Sequence, residues 1–320
     1  MNGWKRLLAG AAAVGIPAAL NARIASSTSR LESRLPAERR YYPWDQGYVF
    51  YAVRGEGPPL VLVHGVYPGA SSHEWRDVLE SLSASHRVYA LDLLGFGLSD
   101  RPRITYDPPL YESLLGDFLQ DVVEAPAALC ASSLSAAFAA HAAFQRGRAV
   151  SRLALVSPTG IYDWDEPPGV ANFLVHRALC LPVLGLSGYY ALTSRAGLAR
   201  YLRERLYHDP ATLTDERLET HYEVAHQAGA SFAPAAFLAG LLNEPLDGIL
   251  GELSQPVLLV WGRHSRMAPL GNAGGFLALN PASDLEILES SGALPQVEEP
   301  ARFSELLLAW LARSVEGAPR

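Results

Sequence analysis

The chain has 320 residues, 49% of them hydrophobic, a net charge of −7, and two cysteines, Cys130 and Cys180. Mild acidity without a basic block argues against a nucleic-acid surface, and two cysteines at this size exclude a disulfide-stapled scaffold. No Cys or His cluster has metal-ligand spacing, and no dinucleotide loop, P-loop or H-E-x-x-H pattern occurs, so neither a metal nor a cofactor is expected.

At the N-terminus, "MNGWKRLLAGAAAVGIPAAL" sets Lys5 and Arg6 before an apolar run from Leu7 to Leu20. This is the layout of an export signal or signal anchor, short of the about 20 apolar residues of a membrane span. Export or membrane association through residues 1–25 is expected, in preference to a helix docked on the body. Residues 26–45, with many Arg and Ser, read as a linker.

From residue 47 the pattern becomes regular. "GYVFYAV" (47–53) is a strand ended by the turn signal "RGEGPP", and "LVLVH" (60–64) is a continuous apolar run of the kind a buried parallel strand shows. A helix is expected near 75–83, a strand at 87–92, a helix at 111–124, a strand at 127–131 and a helix at 134–147. Further strands are expected at 152–157, 256–261 and 284–289, with a last helix at 301–314. Strands alternating with helices imply an α/β fold with a mostly parallel sheet covered on both faces. Between 161 and 250 the strand signal vanishes, and the interval reads as a helical insertion. The expected organisation is a core of residues 46–160 and 251–315 with a cap of residues 161–250.

Five segments in this order resemble the α/β-hydrolase superfamily in its cap-bearing branch. "PPLVLVHG" (58–65) is similar to the strand and His-Gly turn of the oxyanion loop. "LDLLGFGLSDRP" (91–102) resembles the D-x-x-G-x-G-x-S segment. "CASSLSAA" (130–137) falls at the nucleophile elbow, and "PVLLVWGRHSRMAP" (256–269) and "SSGALPQVEEPARF" (290–303) fall at the acid and histidine loops.

The resemblance implies roles one position at a time. Ser133 takes the nucleophile position of a G-x-S-x-G motif whose glycines are replaced by Ala131 and Ser135. The oxyanion donors would be the backbone amides of Val66 and Leu134, and His64 reads as a loop-packing residue. At the acid position stands Ser265, which cannot stabilise an imidazolium as a buried carboxylate does. At the base position stands Ala293, which offers no proton acceptor. Asp163 and Asp165 are candidates for a relocated acid. Among the nine histidines His264 is the best placed substitute base, followed by His221 and His226 of the cap.

Two functions follow. In the favoured one the chain keeps fold and pocket but not the triad, and holds a small apolar molecule or a partner between core and cap, where Tyr67, Trp75, Phe173, Tyr189 and Tyr190 are candidate lining residues. In the other it is an active serine hydrolase of esters or amides, with Ser133 served by His264 or a cap histidine and by Asp163 or Asp165. An imidazole nitrogen within about 2.6–3.2 Å of the Ser133 hydroxyl separates the second from the first.

Overall fold

The computed structural model describes residues 3–29, 31–162 and 165–313. The β-branched and aromatic runs form strands β1 (Glu38–Trp44), β2 (Gly47–Arg54), β3 (Pro59–Val63), β4 (Arg87–Leu91), β5 (Ala127–Ser132), β6 (Val150–Val156), β7 (Val257–Gly262) and β8 (Asp284–Leu288). They make one sheet in the order β1-β2-β4-β3-β5-β6-β7-β8. β2 is antiparallel to β1 and β4, and the other pairs are parallel.

Side chains alternate across the sheet, so each central strand feeds two cores. Val61, Leu129, Leu155 and Trp261 enter one core, and Leu62, Cys130, Val156 and Val260 enter the other. α1 (Gly3–Ser27) precedes β1, and between the strands of the first half run α2 (Arg76–Ser83), α3 (Pro108–Phe118) and α4 (Ser135–Arg146). The cap helices α5 (Val170–Leu179), α6 (Leu184–Leu192), α7 (Arg195–Tyr201), α8 (Asp215–Ala225) and α9 (Phe232–Leu238) lie between β6 and β7. After them come α10 (Ala273–Leu279), α11 (Pro295–Glu298) and α12 (Pro300–Leu311). α2 and α12 cover the second core through Val78, Leu79, Phe303 and Trp310. α3 and α4 cover the first through Leu114, Phe118 and Phe138, and cap residues Leu202, Leu206 and Phe237 join it from above.

The expectation of a linker over 26–45 is corrected by β1. An edge strand pairs on one side only, so it tolerates polar residues and Pro43, which sits opposite Tyr48. Tyr42 is its one buried residue, and the Tyr42 hydroxyl donates to Asp121 at 2.6 Å. Near its C-terminal end α1 is docked on the cap: the Asn21 amide donates to the Val183 carbonyl at 3.1 Å, and the Ser187 hydroxyl donates to Asn21 at 3.1 Å. Among the described residues no single helix is long and apolar enough to cross a membrane.

Candidate active site

Strand β5 ends at Ser132, and Ser133 turns the chain into α4 with φ of +54°. This left-handed conformation is strained for a residue with a Cβ and belongs to an elbow that lifts its side chain off the sheet. The Ser133 amide donates to the Val156 carbonyl at 2.8 Å, which fixes the turn on the neighbouring strand. Ala131 and Ser135 are fully buried where the motif has glycines. The Ser135 hydroxyl donates to the His64 carbonyl at 2.6 Å and so ties the elbow to the loop after β3.

His64 packs that loop. Its Nε2 accepts the Leu93 amide at 3.1 Å, so Nδ1 carries the proton and donates to the Gly65 carbonyl at 2.7 Å. Burial keeps the ring neutral by holding its pKa down. The amides of Val66 and Leu134 donate to no other described residue, as an oxyanion pocket requires. Gly65 packs closely on the elbow: a Cβ there would lie 3.4 Å from the Ser133 Cβ, 3.4 Å from the Tyr67 ring and 3.5 Å from a Glu74 carboxylate oxygen.

Glu74 is the residue that sequence reasoning missed. It sits in a helical turn, Ser72–Trp75, between β3 and α2, and it is buried. One carboxylate oxygen accepts the Gly65 amide at 3.2 Å and the Tyr67 hydroxyl at 3.1 Å. The other accepts the Gln296 amide at 2.7 Å, and the Ser132 hydroxyl is a further partner. Burial nevertheless dominates over these donors and pushes the carboxyl up to about 7. The Gln296 side-chain carbonyl, also buried, has no donor.

Ser265 and Ala293, which the resemblance sets at the acid and base positions, are both engaged locally. The Ser265 hydroxyl accepts the Ala268 amide at 3.3 Å and closes its own turn after β7. The Ala293 amide donates to the cap carbonyl of Leu206 at 2.8 Å. Beside it, Glu298 accepts the amides of Gly292 at 2.6 Å, His208 at 2.7 Å and Asp209 at 3.0 Å. The loop that should carry a histidine is thus clamped to the cap segment 206–209.

No described imidazole hydrogen-bonds Ser133, and all nine histidines are described. His264, expected as the substitute base, is exposed and stacks on His208 with ring centroids 3.7 Å apart. The backbone carries it outward because its amide is bound to the Ser291 carbonyl at 2.9 Å. His221 Nδ1 donates to the Gly69 carbonyl at 2.9 Å, and burial lowers its pKa to about 4. His226 lies stacked between Tyr190 and Tyr222. Asp163 lies outside the described residues, and Asp165 is half-buried in the loop before the cap.

Among the described residues one group, Glu112, His141 and Glu244, gathers three potential ligand atoms within 4.8 Å. Sequence spacing does not reveal this group because the three come from α3, α4 and the loop before β7. Its imidazole is already engaged, with the Pro245 carbonyl at 2.9 Å and Glu244 at 3.0 Å.

A cavity of about 290 Å³ lies between core and cap, walled by Pro68, Leu198, Tyr201, Glu204 and Phe237. The Tyr201 hydroxyl is buried without a partner, and the ring stands 6.4 Å from that of Tyr67. Tyr189 is a wall of this cavity and of a second one, of about 320 Å³, that also touches Tyr190 and Ala25 of α1. Of the other aromatics expected to line a pocket, Trp75 packs on Phe303 beneath the sheet and Phe173 is half exposed on the cap surface.

A sequence model of the alpha/beta hydrolase fold matches residues 58–300, three quarters of the chain. The chain belongs to the α/β-hydrolase family. This α/β-hydrolase is 29% identical over 266 residues to an uncharacterized protein of Mycobacterium tuberculosis, covering 80% of this chain and 76% of that one. It is 26% identical to the 2-hydroxy-6-oxo-6-(2'-aminophenyl)hexa-2,4-dienoic acid hydrolase of Metapseudomonas resinovorans, over 83% of this chain and 88% of the relative. Among solved structures it is similar to a serine hydrolase of carbazole degradation, the CarC enzyme, at a TM-score of 0.72 and 22% identity, covering 86% of this chain and 99% of that one.

Proposed function

We propose that this α/β-hydrolase holds a small apolar molecule between core and cap and does not run Ser-His-acid hydrolysis. The observation that carries this reading is at the base position: Ala293 has no proton acceptor on its side chain, and its amide is spent on the cap carbonyl of Leu206. An unassisted serine hydroxyl is a poor nucleophile at neutral pH, and with the base missing only binding and oxyanion donors would remain. The ligand is best accommodated by the cavity walled by Leu198 and Phe237, with Glu204 on its polar side. The test is labelling with a fluorophosphonate. No labelling of Ser133 is expected in the native chain, and labelling that Ser133→Ala abolishes overturns the reading. Restoring Ala293→His together with Ser265→Asp should confer esterase activity on p-nitrophenyl esters if the elbow and oxyanion pocket are intact.

A second reading rests on Glu74 and on the hydrolases among the relatives. A buried carboxyl with a pKa of about 7 beside the elbow has the basicity of a general base near neutral pH. In that case Glu74 takes the Ser133 proton as the hydroxyl attacks an ester carbonyl. Activity would then rise through pH 7, since only the ionised carboxylate accepts a proton, and Glu74→Gln would abolish it. Activity that survives Glu74→Gln with an unchanged pH profile removes this reading.

A further inference from the structure

Nine of the fourteen large apolar residues exposed on the described surface belong to α1, α5, α6 and the turn between the last two. Helix α5 is the extreme case, since none of its ten residues is buried. Val170 is 79% exposed and Leu174 64%, and Phe173 stands between them half exposed. Helix α6 follows at 88° to α5 and shows Leu184 and Leu192 to the outside. On α1, Ile16 and Leu20 are more than half exposed. The hydrogen bond from Asn21 to the Val183 carbonyl holds this end of α1 against the start of α6. Apolar patches of this kind on a soluble body mark an interaction surface.

The charge around this face is opposite to that of the molecule. Residues 1–31 contain Lys5, Arg6, Arg23 and Arg30 and no acidic residue. Residues 167–203 contain Arg177, Arg195, Arg200 and Arg203 and again no Asp or Glu. In a chain with a net charge of −7, these two segments carry cations and no carboxylate in sequence, although Arg195 is paired with Glu219 of α8 at 2.6 Å. Arg23, Arg177 and Arg200 are exposed. An apolar face set among basic side chains is suited to the headgroup boundary of an anionic bilayer, where the apolar side chains enter the acyl region and the cations stay at the phosphates.

We infer that α1, α5 and α6 form a docking face for an anionic lipid bilayer, on which the α/β-hydrolase body lies without spanning it. The face is independent of what Ser133 does. The charge argument selects lipid over a second copy of the chain, because two like-charged basic faces repel.

The experiment is co-sedimentation of the full chain with vesicles of phosphatidylcholine alone or with about 30 mol % phosphatidylglycerol. Binding to the anionic vesicles is expected, weakening as salt is raised. Leu174→Asp combined with Leu184→Asp should lower the partition coefficient at least about tenfold. Both positions are exposed, and an unchanged circular dichroism spectrum shows that the variant folds. Tyr48→Asp, at an exposed tyrosine of β2, apart in sequence from α1 and the cap helices, should bind as the native chain does. Three results overturn the inference: equal binding of the double variant and native chain, equal binding to neutral and anionic vesicles, or a native chain that ignores vesicles and sediments as a dimer that the double variant dissociates.

Discussion

At Glu74 a single carboxyl couples the site to pH. Its folded pKa of about 7 lies above the ordinary glutamate value because burial penalises the charge. The fold therefore binds this proton more tightly than the unfolded chain does. The associated stability is full at acid pH and is lost as pH rises through 7. A shift of this size corresponds to roughly 3–4 kcal/mol. Glu74→Gln removes the titration while keeping an acceptor for the Gly65 amide and the Tyr67 hydroxyl. Its new amide meets the Gln296 side chain, whose carbonyl lacks a donor and is available if that amide turns over. Between pH 5 and pH 8 the urea midpoint of Glu74→Gln should gain on the native protein by an amount equivalent to roughly 2–3 kcal/mol. A constant difference between the two would show that Glu74 is ionised throughout.

The same residue marks the limit of what could be read in sequence. Ser133, Ser265 and Ala293 are legible because motif loops of fixed length carry them to one end of the sheet. Glu74 and Gln296 are not, since a charged residue at the start of an amphipathic helix ordinarily faces water. The signal that could have found Glu74 is its setting, between Ser72 and Trp75 in a turn directly after the oxyanion loop, which both cores enclose.

Among the elements, the parallel strands were legible almost to the residue, since strands buried on both faces are continuous apolar runs. β1 was not, since an edge strand shows neither a long apolar run nor a strict alternation. The contact between the histidine loop and the cap was also hidden, as it consists of backbone amides that carry no side-chain signature. Glu298 alone holds three of them, from Gly292, His208 and Asp209. Hydrogen bonds to a charged group contribute more than neutral ones, so Glu298→Ala should cost about 2–4 kcal/mol. The loss should be local as well. Amide exchange should quicken over residues 206–209 and at Gly292, while β5 and β6 stay protected. Exchange that quickens evenly over the whole sheet would instead assign Glu298 to the global core. Gly292 has little freedom to adapt, because a Cβ there would meet the Leu206 carbonyl at 2.5 Å.

For the whole molecule, the sheet and its two cores begin at Leu35, the first residue that either core contains among those described. Arg34, just before it, is paired with Glu223 of the cap at 2.7 Å, but residues 3–29 are attached to the cap by few bonds: Asn21 to Val183, Ser187 to Asn21, and Gln227 to the Ser29 carbonyl at 3.0 Å. A helix held this way contributes little to the cooperative unit, since neutral hydrogen bonds near the surface yield about 1 kcal/mol each at most. Removing residues 1–30 should therefore lower the melting temperature by no more than about 4–8 °C. The truncated chain should keep its near-ultraviolet circular dichroism, which reports the buried tryptophans Trp75 and Trp261. Amide exchange should rise in α6 around Val183–Ser187, where the partner has been lost, and nowhere in the sheet. A collapse of the near-ultraviolet signal would show that the helix is an integral layer of the fold. If the signal is retained, the basic apolar segment is an appendage whose place on the cap serves an interaction outside the hydrolase body.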